Sequence, residues 1–232
     1  MSHRRLAIIA SLAGLSGLVV AMVAVRVAYS GNSFYESLVW NLMLAWLPFV
    51  FALYVYDGYR RGAARAQLLV GGLFWLLFFP NAPYIVTDFK WLRSWKGAPL
   101  WFDVILVSAG AWAGLLLGFI SLYLMQAVVR RVLGALNAWL FVLAVLVVSS
   151  FGIYLGRFQR SNSWDVFVRP RTFAGDVWSR LSDPGEHARV VAVTVLFTAF
   201  LAATYLVFYA FLRFSGPDAP ERVTRGSTPP TG

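Results

Sequence analysis

No cysteine occurs anywhere in the 232 residues, so disulfides, zinc–thiolate centres and cysteine nucleophiles are excluded at the outset. Histidine is almost absent as well. The two present, His3 and His187, fall in a terminal segment and a polar loop, which argues against a histidine-rich metal centre or a histidine-based triad. Charged residues make up only 13% of the chain, too few for the surface of a soluble domain of this size. Also missing are a Gly-rich phosphate loop, a G-x-S-x-G elbow, an H-E-x-x-H helix and an Asp-rich lipid-phosphate motif. No internal repeat is evident, so the inverted-repeat signature of many secondary transporters is lacking.

What the chain has instead is apolar length. Hydrophobic residues reach 59% and the mean hydropathy is +0.68, which defines a multi-span membrane protein. A helix needs about 20 apolar residues to cross the hydrocarbon core. Six segments qualify: Leu6–Tyr29, Ser37–Tyr56, Ala66–Val86, Trp101–Val128, Val132–Tyr154 and Val190–Leu212. The expected fold is an all-α polytopic helix bundle, with short interfacial helices in its two long outer loops. The first span is too long for a signal-peptide core and carries Arg26 just before the only candidate cleavage site, so it reads as an uncleaved anchor.

The net charge of +10 does not point to nucleic acid, because the basic residues flank apolar spans as topology signals do. With the N-terminus inside, the compact inner connections hold Arg4, Arg5, Arg60, Arg61, Arg65, Arg130 and Arg131, while the outer basic residues are spread through long loops and offset by acids. Both termini are therefore expected in the cytoplasm, with the longer loops outside. Residues 1–213 read as one transmembrane domain and 214–232, rich in Pro, Gly, Ser and Thr, as a disordered cytoplasmic tail.

Polar residues gather at the outer ends of the spans. The string FPNAPYIVTD, residues 79–88, puts Pro80, Asn81, Pro83 and Asp88 at the close of span three. Proline frees backbone carbonyls, and lipid offers nothing to satisfy them, so such a break needs neighbouring protein or a wet cavity. In span four Asp103, Gly110, Gly114, Gly118 and Ser121 share one helical face. The glycines form a small-xxx-small stripe for close helix approach, fitting an internal seam and a dimer seam equally well. A carboxylate on that face needs a cation, and Arg157 or Arg26 is the expected partner. In the outer loops Trp91, Leu92 and Trp95, and further on Phe173, Val177, Trp178 and Leu181, suit short amphipathic helices anchored in the headgroup region.

Together the strings NLMLAWLP (41–48), FPNAPYIVTD, Trp101-Phe102-Asp103, the glycine stripe with Ser121-Leu122-Tyr123, and GRFQRSNSWD (156–165) resemble the bacterial integral-membrane family called domain of unknown function 1361. The resemblance covers roughly Asn41 to Pro170, leaving the terminal spans and tail outside. It implies a polytopic protein of the bacterial inner membrane, and it brings no activity, cofactor or catalytic residue with it.

Three functions stay open on the residues. An outer-leaflet enzyme acting on a lipid-linked or phosphorylated substrate would use Asp88, Asp103 and Asp165 as acid and base, or to share a hard cation such as Mg²⁺. Arg157 and Arg160 would then hold a phosphate, and Asn81 and Asn162 would orient it. A small-solute transporter would build its site at broken spans, but usually near the midplane, where these spans are apolar. A non-catalytic component, contacting lipid headgroups or other envelope proteins, needs the same residues only as helix ends and buried ties. On that reading Asn81 caps carbonyls freed by Pro83, and Arg157 pairs with Asp103 or Asp165.

Overall fold

The computed structural model describes residues 3–92, 98–159 and 184–214, and every regular element among them is helical. The order is α1 (His3–Ser30), α2 (Glu36–Arg60), α3 (Arg65–Phe78), a single turn α4 (Asn81–Tyr84), a 3₁₀ segment (Ile85–Trp91), α5 (Leu100–Leu133), α6 (Ala135–Gln159) and α7 (Pro184–Phe214). Six stretches are long and apolar enough to cross a bilayer, with α3, α4 and the 3₁₀ segment counting as one. The expected tail, Trp95 and the 173–181 segment lie outside the described residues. Trp91 ends the 3₁₀ segment, and the backbone turns extended at Leu92.

Helix α5 is the axis of the bundle. Its buried positions run from Asp103 to Val128, and α1, α2, α4, the 3₁₀ segment and α6 all pack on it. Helix α7 lies mainly against α6. Lipid tails are as apolar as leucine, so burial alone does not hold such helices together. Polar ties add direction: the Trp75 indole donates to Ser121 Oγ (3.2 Å), and Tyr205 donates its hydroxyl to Gln126 Oε1 (2.7 Å).

The glycine stripe is an internal seam. A Cβ on Gly110 would meet Leu38 at 3.0 Å, and one on Gly118 would meet the Ala82 Cβ at 3.1 Å. At Gly114 the clash is with backbone, the Ala82 carbonyl oxygen at 2.5 Å. The stripe thus receives α2 at its upper end and the broken end of span three below. On the other side of that break, Pro80 lies against Gly152 of α6, where an added Cβ would be 3.4 Å from the proline ring.

The break itself leaves few loose groups. Pro83 has no N–H for the Phe79 carbonyl, which instead accepts from Ala82 N at 3.1 Å. That shift would strand the Phe78 carbonyl, and Asn81 Nδ2 donates to it at 3.0 Å. The side-chain cap therefore falls one residue before the carbonyl that Pro83 frees. Beyond it, Thr87 Oγ1 donates to the Tyr84 carbonyl at 2.7 Å. Span three is consequently longer than the apolar run to Val86: α3 stops at Phe78, and the single turn α4 and then the tighter 3₁₀ coil carry the chain on to Trp91.

Gly114→Ala should therefore cost about 1–3 kcal/mol, the usual range for overpacking a rigid contact. Gly17→Ala, with nothing within 4 Å of the added carbon, should cost nothing measurable. Thermal midpoints of the two purified variants in detergent check the contrast.

Candidate functional site

One end of the bundle gathers the C-terminus of α1, the N-termini of α2 and α5, the break in span three and the C-terminus of α6. Two ion pairs lie there, built differently.

The first joins α1 to α5. Arg26 donates from Nε to Asp103 Oδ1 (2.6 Å) and from Nη2 to Oδ2 (3.1 Å), with each side chain 1% exposed. The turn after α1 explains why an aromatic ring covers the pair. Gly31 takes φ +66°, Asn32 N donates to Ser30 Oγ (3.3 Å), and Phe34 N donates to Asn32 Oδ1 (2.8 Å). These contacts fold Phe34 and Tyr35 back over the helix end, and the Arg26 guanidinium stands 4.5 Å from the Tyr35 ring centroid. Burial pushes the Tyr35 hydroxyl up to about 12, and the neighbouring Asp103 carboxylate acts in the same direction. Tyr35 is a neutral phenol throughout the physiological range.

The second pair joins α6 to the 3₁₀ segment and recruits α2. Arg157 Nη2 donates to Asp88 Oδ1 (2.9 Å), while Asn41 Nδ2 donates to Asp88 Oδ2 (3.3 Å). The guanidinium lies between two rings, 5.1 Å from the centroid of Tyr84 and 5.6 Å from that of Trp91. Trp91 in turn meets Phe34 edge-on at 5.7 Å, so the two pairs share an aromatic wall. This pair is less enclosed, with Arg157 8% and Asp88 9% exposed. Arg26 Nη1 and Arg157 Nε are buried with no hydrogen-bond partner among the described residues.

The residues singled out in the sequence are only partly united. Asp88 and Asp103 occupy the same end of the bundle but are neutralised by different arginines. Arg157 does not pair with Asp103: α6 leaves the bundle beside the 3₁₀ segment, and α1 supplies Asp103's cation. Pro80, Pro83, Gly110, Gly114 and Gly118 form the packing joint beneath. Asn81 faces the chain's own Phe78 carbonyl. Asp165, Asn162 and Arg160 lie outside the described residues. Among the described residues no three His, Cys, Asp or Glu side chains group to hold a metal ion. A Mg²⁺ site built on Asp88 and Asp103 would have to displace an arginine from each. Sequence reasoning missed Tyr35. The signal was a lone arginine at a span end followed eight and nine residues later by Phe34 and Tyr35, an aromatic pair able to fold back over it.

Fold and site together define a polytopic membrane helix bundle whose most deeply buried charges are paired at one end. The chain belongs to the family described as "Protein of unknown function (DUF1361)", whose model matches residues 40–204. That match takes in most of α7, beyond the expected limit at Pro170, and leaves α1 outside. No curated protein and no solved structure matches the chain.

For a buried pair, removing one partner strands the other charge at a cost of about 3–5 kcal/mol, whereas an apolar replacement of both is often tolerated. Asp103→Asn should therefore lose far more folded protein than the double variant Arg26→Met with Asp103→Leu. Fluorescence-detected size exclusion of the two variants, expressed side by side, reads the difference.

Proposed function

We propose that this protein is a non-catalytic component of the bacterial envelope, held in the inner membrane with its paired end facing outward. The observation that carries this reading is the separate neutralisation of Asp88 and Asp103. A carboxylate that serves as acid, base or metal ligand has to be available to the reacting group, and each of these is engaged by a guanidinium of its own. The pairs instead do what structural ties do, fastening α1 to α5 and α6 to the break in span three.

The orientation rests on charge. Among the described residues the opposite end carries Arg4, Arg5, Arg60, Arg61, Arg65, Arg130, Arg131 and Arg213 against Asp57 alone. Among the residues whose side chains are described, the paired end holds Arg26, Lys90, Arg157 and Arg189 against Glu36, Asp88 and Asp103. A bias of that kind favours the arginine-rich end, and with it both termini, on the cytoplasmic side.

A second reading, an enzyme acting at the outer leaflet on a lipid-linked or phosphorylated substrate, has one observation in its favour. Arg157 keeps a buried Nε without a partner among the described residues, beside the less enclosed Asp88. An anionic substrate would supply that partner.

Two experiments test these readings. Asp88→Asn should lower the amount of folded protein, and any cellular phenotype of a deletion strain should follow that amount. Exchanging the pair, Asp88→Arg with Arg157→Asp, should restore both. An Asp88→Asn protein that stays at wild-type level and stability while the phenotype vanishes would favour the enzyme. For orientation, the cysteine-free chain allows single reporters: Ser33→Cys should react with an impermeant maleimide in intact cells, and Arg61→Cys only after lysis. The reverse pattern would invert the topology.

A further inference from the structure

At the end of the bundle opposite the ion pairs, two arginines from different helices meet on one tyrosine. Arg130, in the last turn of α5, donates from Nη1 to the Tyr209 hydroxyl at 3.3 Å. Arg213, in the last turn of α7, stands with its guanidinium 5.1 Å from the same ring's centroid. The ring is fixed from below, with Trp139 edge-on at 4.9 Å and Tyr123 at 6.0 Å. Two guanidiniums held by one ring repel each other unless an anion lies with them. No carboxylate of the described residues supplies one, since Asp57, the sole acid at this end, takes two hydrogen bonds from Arg5 at 3.0 and 2.7 Å.

The surroundings define the anion. The connection from α5 to α6 is a single residue, Gly134 at φ +87°, flanked by exposed Leu133 and Leu136. On α7, Phe211 and Phe214 are exposed beside Arg213. Such side chains belong at the edge of the hydrocarbon, and the guanidiniums therefore stand at headgroup depth. A phosphate at that depth, with apolar chains running down the adjoining surface, is that of a phospholipid. Basic pockets between transmembrane helices suit such headgroups, and a guanidinium matches phosphate oxygens with paired donors.

We propose that Arg130, Tyr209 and Arg213 form a binding site for the phosphate of an anionic phospholipid, clasped between the ends of α5 and α7. The site is independent of which side of the membrane this end faces and of the function proposed above. The lipid would bridge two helices whose backbones stay apart, α7 packing chiefly on α6, and which otherwise meet through long side chains such as Tyr205 on Gln126.

The test uses the full chain in nanodiscs of phosphatidylcholine with a small fraction of phosphatidylglycerol, the retained lipid being counted by native mass spectrometry. The wild type should retain phosphatidylglycerol in preference to phosphatidylcholine. Arg130→Gln with Arg213→Gln should reduce that preference about 25-fold, each surface arginine contributing roughly fivefold. Arg60→Gln with Arg65→Gln removes the same charge from the same end and should leave the preference nearly intact. Equal loss in both double variants would mean that only the overall charge of this end attracts lipid, and the site would be abandoned. Unchanged retention in Arg130→Gln with Arg213→Gln would overturn it as well. Displacement of phosphatidylglycerol by millimolar inorganic phosphate would reassign the pocket to the free ion. Matching thermal midpoints in phosphatidylcholine alone would establish that the two double variants are folded alike.

Discussion

The arrangement of the paired end depends on one close contact, the Ala82 carbonyl resting on Gly114. No other residue at position 114 leaves room for that oxygen, because a Cβ there would stand 2.5 Å from it. The contact brings the broken end of span three against α5 before the chain coils on toward Asp88. Pro80 and Pro83 make the approach feasible. An unbroken helix would keep its carbonyls turned along its own axis, whereas this one shifts its ladder, recruits Asn81 and turns a carbonyl outward onto glycine. Asp88 lies six residues further along the same coil, so its height and direction follow from the joint below.

Low dielectric surroundings then dictate how the charges are shared. Two carboxylates on neighbouring elements each need a cation at hydrogen-bond distance, and a pair that excludes water stabilises little in net terms even though breaking it is costly. What such pairs supply is register. Arg26 reaches Asp103 only if α1 stands at one height beside α5, and Arg157 reaches Asp88 only if α6 ends level with the 3₁₀ segment. The aromatic rings sharpen this, since Tyr35 covers one guanidinium while Tyr84 and Trp91 flank the other.

Much of this was legible in the sequence because it is periodic. Apolar runs give the six spans, and the spacing of Gly110, Gly114 and Gly118 gives a face whatever packs on it. The broken span announces itself through two prolines. Pairing was not legible. Whether Asp103 takes Arg26 or Arg157 depends on which of the helices packed on α5 meets the face that carries Asp103, and the register of Asp88 depends on a 3₁₀ coil running for seven residues beyond the break. Propensity does not encode a coil forced by a neighbouring backbone. Nor could composition reveal whether the glycine face meets its own chain or a second copy; only Leu38 and Ala82 lying on it decide that.

The place of α1 follows from the same physics. The family match begins at residue 40, yet Asp103, well inside it, is neutralised from outside it by Arg26. A bundle made of the matched region alone would carry an uncompensated buried carboxylate, so α1 completes the core electrostatically rather than merely flanking it. Its fastening is distributed along its length. Arg5 grips Asp57 at one end, the Trp46 indole donates to Ser16 Oγ at 3.1 Å near the middle, and Arg26 holds Asp103 at the other end. Most of the helix surface otherwise faces outward, where lipid and protein are equally good apolar neighbours. Three polar contacts about ten residues apart are what distinguish a docked helix from a free one in such a solvent. The innermost of them, sealed by Tyr35, is the one that water cannot replace.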